Sequence, residues 1–179
     1  MNIKLLTKII GSAMLFSACG PSPEINSSKP SVAVEQEKAI IDQAIIDSLA
    51  ASLDIRYTLI GNYQKEKCDP SKTDGLCFEG KYTLTAKEPL PAKGWEIYYS
   101  QIAPLHNYDS EAFHIEHING DLHRLTPKPT FTGLDAGQSI DVVFRGSYWN
   151  LSEYDIMPNF IITGEGLTAR VIDSTKAII

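Results

Sequence analysis

From Leu53 onward the chain is written in short alternating runs, and that alternation leaves little choice of fold. Ile55, Tyr57 and Leu59 alternate with Arg56 and Thr58, and Tyr82, Leu84 and Ala86 with Thr83 and Thr85. Trp95, Ile97 and Tyr99 alternate with Glu96 and Tyr98, and Ile140, Val142 and Phe144 with Asp141, Val143 and Arg145. Successive side chains on a strand point to opposite faces, so each run has one apolar face to bury. Phe160 and Ile162 mark one more strand. Asn119-Gly120, between FHIEHI and DLHRL, is a hairpin signal, because both residues tolerate positive φ. Pro89, Pro91, Pro104, Pro127, Pro129 and Pro158 fit loops or strand edges. Regular short strands with this punctuation predict an all-β fold over residues 54–179. The expected architecture is an antiparallel β-sandwich, immunoglobulin-like or jelly-roll-like.

Upstream the period changes. Ile41, Ala44, Ile45, Ser48 and Leu49 fall at helical spacing, with Ile40 and Ile46 broadening the face. This predicts a short N-terminal helix over residues 32–53, whose apolar stripe favours packing against the domain edge over a spacer role, with partner binding as a further alternative. Residues 19–31 are rich in Pro, Ser and small polar residues and read as a flexible tether. Residues 1–18 read as a targeting segment, with Lys4 and Lys8 ahead of the apolar run from Ile9 to Ala18. That run is too short to cross a hydrocarbon core of about 30 Å as a helix.

The segment ends in Leu15-Phe16-Ser17-Ala18-Cys19, and small residues directly before a cysteine resemble a bacterial lipobox. The resemblance implies cleavage before Cys19 and a lipid on its thiol. Acyl chains worth about 0.8 kcal/mol per buried CH₂ would then hold the protein on a membrane. Gly20 in the next position implies sorting to the outer membrane, on the periplasmic side or at the surface of a Gram-negative cell. The competing reading is an ordinary secretory signal with Cys19 incidental.

With Cys19 acylated, Cys68 and Cys77 are left from the three cysteines. They bracket CDPSKTDGLC, where Pro70 and Gly75 turn the chain back, and are expected to form a disulfide in an oxidising compartment. Closing so short a loop contributes about 2.5–3 kcal/mol in the chain-entropy model. A zinc site is the weaker alternative, since two thiols without partner ligands do not make a cage.

A formal net charge of -6 argues against nucleic acid as a partner. No phosphate loop, nucleophile elbow or HExxH helix is present, and no cofactor is implied. Of the four histidines, His106, His114, His117 and His123, the spacing puts His114 and His117 on opposite faces. His117 and His123 can meet across the hairpin. They read as polar faces on a solvated sheet rather than as metal ligands. Glycoside hydrolysis needs paired carboxylates, or one carboxylate assisted by the substrate's acetamido group. The chain has no Asp-Glu dipeptide, and Asp109 and Glu111 lie in a loop-like YDSE with no sign of desolvation. No residue is therefore assigned a catalytic or metal-binding role.

Sugar binding on a sandwich relies on exposed aromatic faces with amides or carboxylates beside them. The candidates are Tyr98, Tyr108, Tyr148, Trp149 and Tyr154, with Asn107, Asn150 and Asp155 as polar partners. Tyr98, Tyr148, Trp149 and Asn150 head this set. Packing in the core or an interface is the competing role for each aromatic. Trp95 is assigned to the core, because it shares a face with Ile97 and Tyr99.

Five segments, GWEIYYS, NGDLHRLTP, TFTGL, SYW and MPNF, carry a family resemblance. Across roughly residues 33–179 the chain resembles the N-terminal domain of bacterial chitobiases and β-N-acetylhexosaminidases of glycoside hydrolase family 20. The resemblance implies a non-catalytic carbohydrate-binding module for chitin or other N-acetylglucosamine-containing glycans. It also implies a cysteine pair at Cys68 and Cys77. In that family catalysis belongs to a barrel that follows the module and carries an adjacent Asp-Glu pair. The expectation is thus a lipid-anchored glycan-binding module. One alternative is a truncated or split hexosaminidase whose catalytic barrel is encoded elsewhere or lost, the module being its docking surface. Another is a structural or interaction lipoprotein without sugar affinity.

Overall fold

The computed structural model describes residues 41–106, 110–152 and 155–177. The proposed leader, the tether and Cys19 lie outside the described residues, as do residues 32–40 of the expected helix. The helix that forms, α1, is Gln43–Ser52. Asp42 caps it, its side-chain oxygen accepting the Ile45 N–H at 2.9 Å, which satisfies one of the free donors of the first turn. At the other end Leu53 turns extended and pairs with Ala86, so the helix stops where strand pairing starts. The buried stripe is Ile46, Leu49 and Ala50, while Ala44 and Ser48 are exposed. Ile41 and Ile45 pack against the same cluster, so the apolar stripe lies on the domain and Ala44 and Ser48 mark its exposed edge. Bonds to the chain near the C-terminus flank it. Gln43 exchanges two hydrogen bonds with the Thr168 backbone, at 3.1 and 2.8 Å, and Asp47 pairs with Arg170 at 2.8 Å.

The described residues form two antiparallel sheets. The first is ordered β1-β2-β7-β4, from β1 (Leu53–Gln64), β2 (Leu76–Ala86), β7 (Ser139–Ser147) and β4 (Leu105–His106). The second is ordered β5-β6-β3-β8-β9, from β5 (Phe113–Asn119), β6 (Leu122–Pro127), β3 (Glu96–Ser100), β8 (Ile161–Thr163) and β9 (Arg170–Val171). Their inner faces supply one core. Along β2 the residues Phe78, Gly80, Tyr82, Leu84 and Ala86 are buried in strict alternation, and along β7 Val142, Phe144 and Gly146 answer them. Tyr82 meets Phe144 at 4.6 Å, Tyr99 at 5.1 Å and Phe160 at 5.5 Å between ring centroids, joining the two sheets. Trp95 is buried as expected, with its indole N–H on the Pro91 carbonyl at 2.7 Å and its ring beside Phe113 and Phe131.

Two glycines make this packing possible. In the β2–β7 register Phe78 faces Gly146 and Gly80 faces Phe144. Each phenyl ring lies across the glycine opposite. A Cβ on Gly80 would stand 3.2 Å from the Phe144 ring and 2.7 Å from that of Tyr57. A Cβ on Gly146 would collide with Phe78.

The hairpin forms one residue later than the sequence marks it. Asn119 still pairs with Leu122, and a bulge between His117 and Asn119 shifts the register, so Gly120 and Asp121 make the turn. His117 does oppose His123, with rings 4.9 Å apart. The placement of His123 on a solvated face is corrected: it is fully buried. It alternates with Arg124 and shares the inner face with Leu125. Its Nδ1–H donates to the Asp121 carbonyl at 2.9 Å, and its Nε2 accepts the Leu105 N–H at 3.2 Å. Leu105 belongs to the other sheet, so a neutral imidazole ties β4 to β6. Burial holds the His123 pKa below the usual histidine value.

Two outcomes follow. Gly146→Ala should destabilise the fold by about 1–3 kcal/mol through overpacking against Phe78, read from denaturant midpoints at unchanged m-value. The His123 contribution is complete above the unfolded histidine pKa of about 6.5 and is lost as pH falls through that value toward the lower folded one. Melting temperature should therefore drop from neutral pH to about pH 5 in the wild type, with a shallower slope in His123→Gln. Equal slopes would remove the buried imidazole from the account.

Candidate functional site

Strand β7 delivers its last residues to one end of the four-stranded sheet. Ser147 pairs with Cys77, and the Tyr148 N–H donates to the Leu76 carbonyl at 3.0 Å, the last rung shared with β2. Tyr148 then adopts φ 66°, a left-handed conformation that is unusual for a bulky residue. The chain breaks its alternation there, and two consecutive aromatics both reach solvent. Tyr148 is 57% exposed and Trp149 44%.

The Trp149 ring is held from beneath. The Trp149 indole N–H donates to the Tyr63 carbonyl at 2.9 Å, fixing the ring at the end of β1. Tyr63 in turn carries the Lys67 ammonium 4.7 Å from its ring centroid. Asn150 points the other way. It is 4% exposed, its Nδ2 donates to the Tyr57 hydroxyl at 2.6 Å, and its backbone exchanges hydrogen bonds with the Asn62 amide at 2.9 and 2.7 Å. The structure thus corrects the choice of Asn150 as a sugar-contacting amide. Its side chain is spent inside, and its role is to anchor the two aromatics before it. Asn62 and Tyr63, on the far side of this clamp, were not singled out by the sequence. Their partners are 86 to 88 residues away, and nothing local distinguishes them.

Beside Tyr148 stands the loop closed by the Cys68–Cys77 disulfide. Asp69 organises it, accepting the Ser71 N–H at 2.9 Å and the Ser71 hydroxyl at 2.7 Å. The Ser71 hydroxyl bond keeps the Asp69 carboxyl below its usual pKa. The Ser147 hydroxyl donates to the Lys72 carbonyl at 3.2 Å, joining the loop to the residue before Tyr148. Pro70, Ser71, Lys72, Thr73, Asp74, Ser147 and Tyr148 line a shallow cleft between loop and ring.

Tyr98 lies elsewhere, half-buried on the outer face of the five-stranded sheet. Its hydroxyl donates to Glu96 at 2.9 Å, and Glu96 and Glu116 flank Arg124 at 3.4 and 2.5 Å. The Glu116 hydrogen bond moves the Arg124 pKa up from its ordinary value. The structure does not bring Tyr98 together with Tyr148 and Trp149. Asn107, Tyr108, Asp109 and Tyr154 lie outside the described residues. Asp155 serves its own loop, accepting the Leu151 and Ser152 N–H groups at 2.5 and 3.0 Å. Among the described residues no group of three His, Cys, Asp or Glu side chains is arranged to hold a metal ion.

Residues 52–178 match the model of the CHB_HEX family, whose description is "Putative carbohydrate binding domain". The chain belongs to this family. Among its relatives are a β-hexosaminidase of Vibrio vulnificus, 35% identical over 140 residues, and an N,N'-diacetylchitobiase of Vibrio harveyi, 31% identical over 138 residues. These alignments cover 77% and 74% of this chain but only 16% of either relative. A solved family 20 exo-β-N-acetylglucosaminidase from Vibrio harveyi superposes on 72% of this chain and 19% of its own, at 13% identity and a TM-score of 0.48. The matched domain is a carbohydrate-binding, non-catalytic module of the hexosaminidase family.

Asn150→Ala should lower stability by about 1–2 kcal/mol through loss of the bond to Tyr57. It should also shift tryptophan emission to the red, because Trp95 is buried and Trp149 is the ring set free. An unchanged emission maximum would show that Asn150 does not position Trp149.

Proposed function

We propose that this module binds chitin or other N-acetylglucosamine-containing glycans, with Tyr148 and Trp149 as the stacking surface. One observation carries the choice of site. Two adjacent aromatic rings are turned outward at a left-handed residue, and Trp149 is tied down through its indole N–H, whereas Trp95 and Tyr99 are buried in the core. Aromatic faces of this kind stack on the apolar face of a pyranose ring. The glycan class comes from the relatives, whose names are those of a chitobiase and β-hexosaminidases. Reversible contact without bond cleavage is the whole mechanism of the module.

In the relatives the matched segment is 16% of the chain, which supports a second element of the reading: the module works beside a family 20 catalytic domain and holds glycan near it. The small residues before Cys19 support a lipid anchor there, placing the module at the outer membrane of a Gram-negative cell.

Protein carrying Cys19→Ser, so that no acyl chain is attached, should be retained on a chitin column and should bind chito-oligosaccharides in calorimetry. Trp149→Ala and Tyr148→Ala should each weaken binding about three- to ten-fold, the range expected for losing one stacking ring. Passage through chitin like an inert protein, with silent calorimetry, would defeat the reading.

A further inference from the structure

The cleft beside Tyr148 has one aromatic wall and one polar wall, and the polar wall is the disulfide loop. Its polar side chains divide into two kinds. Those of Ser71 and Thr73 are engaged within the loop. Ser71 donates to Asp69, while Thr73 donates to the Asp69 carbonyl at 3.3 Å and accepts the Gly75 N–H at 3.2 Å. The Lys72 ammonium and the Asp74 carboxylate make no hydrogen bond or ion pair among the described residues. Both residues are exposed, and both line the cleft. Their backbone is nevertheless fixed. The Lys72 N–H donates to the Asp69 carbonyl at 3.0 Å, and its carbonyl accepts from Ser147, the neighbour of Tyr148. The Gly75 carbonyl accepts the Lys65 N–H at 2.7 Å. Two uncommitted polar groups, one donor and one acceptor, thus start from a fixed frame next to an exposed ring.

Resting on the reading that Tyr148 stacks on a sugar, we propose that Lys72 and Asp74 form a polar subsite gripping the edge of the saccharide on that ring. A pyranose is amphipathic: its face is apolar, and its rim carries groups that donate and accept. The ring of Tyr148 takes the face. Asp74 accepts from a ring hydroxyl or from the acetamido N–H, and Lys72 donates to a hydroxyl or acetamido oxygen. Lys72 is matched by Asp74 and by the ionised Asp69 of the same loop, so the subsite carries no net positive charge and suits a neutral glycan. An anionic sugar would meet both carboxylates against the one ammonium. The Cys68–Cys77 bond belongs to the subsite as well. Of the loop residues from Lys65 to Leu76 only Cys68 is buried, so the disulfide is the covalent hold of the polar wall on the sandwich, beside the Ser147 and Arg145 bonds to the Lys72 and Lys67 carbonyls.

The test is calorimetry of the full chain carrying Cys19→Ser with N,N′,N″-triacetylchitotriose. Lys72→Ala and Asp74→Ala should each weaken binding about five-fold, the range expected for one exposed charge-assisted hydrogen bond, with melting temperature unchanged. Raising salt from about 0.05 M to about 0.5 M should leave wild-type affinity within about two-fold, because the ligand is neutral. Reducing and alkylating Cys68 and Cys77 should weaken binding at least as much as the double variant Lys72→Ala/Asp74→Ala. If the wild type binds, Tyr148→Ala loses affinity and both loop variants bind like the wild type, the subsite is overturned and the stacking surface stands. If the wild type does not bind, both fall together. A steep loss with salt would overturn the neutral-ligand assignment, and full affinity after reduction would overturn the disulfide's part.

Discussion

Along the β2–β7 pair Phe78 lies over Gly146 and Phe144 over Gly80, so each large ring has room because the residue facing it has no side chain. Side-chain direction on a strand has a period of two, and a slip of one residue would turn every inward ring outward and set Cβ atoms against the phenyls. The pair is thus locked in register by two independent fits. The proposed site hangs on that register. Tyr82, two residues beyond Gly80, reaches the other sheet to meet Tyr99 and Phe160. At the opposite end the same register places Ser147 against Cys77, and with it the start of Tyr148-Trp149 against the disulfide loop.

The outer faces do different work. On the four-stranded sheet Asp141 accepts from Lys81 at 2.7 Å and Thr83 at 2.6 Å, and Arg145 pairs with Glu79 at 2.9 Å. On the five-stranded sheet Tyr98 and Arg124 are drawn into the Glu96 and Glu116 network. Side chains committed to neighbours across strands are poor starting points for gripping a ligand, because each new contact must replace an existing one. The end of the sandwich at Tyr148 is different, with rings exposed and no hydrogen bond or ion pair on Lys72 or Asp74 among the described residues. That contrast selects it over the sheet faces.

The sequence discloses what repeats with a short period. The alternation of Trp95, Ile97 and Tyr99 predicts their burial, whereas for Tyr148 and Trp149 the sequence leaves exposure and packing both open, and the turn at Tyr148 decides. Asn150 and His123 mislead for a common reason. A polar side chain is read as exposed unless a partner is known, and their partners come from distant chain: Tyr57 is 93 residues from Asn150, and Leu105 lies in the other sheet from His123. The α1 stripe reads truly in its apolar members, Ile41, Ile45, Ile46 and Leu49, and only its small residues Ala44 and Ser48 are left exposed. Local period sets which elements exist and which face is buried, while polar pairing across the fold decides where single polar side chains go.

The electrostatics of the described surface agree with a binder. Acid catalysis on a glycosidic bond asks for a carboxyl whose pKa is raised, so that it keeps its proton near neutral pH. The carboxyls with displaced affinity, Asp69 and Asp141, are both moved downward, Asp69 by hydrogen bonds from Ser71 and Asp141 by those from Lys81 and Thr83. Each is therefore an anion throughout the neutral range. At Asp69 that fixed charge organises the loop that walls the cleft. A carboxylate that is ionised near neutral pH cannot protonate a leaving group there, but it can hold a loop in one conformation. In this molecule Asp69 is built into the frame of the loop, while Asp74 is the carboxylate that lines the cleft beside Tyr148.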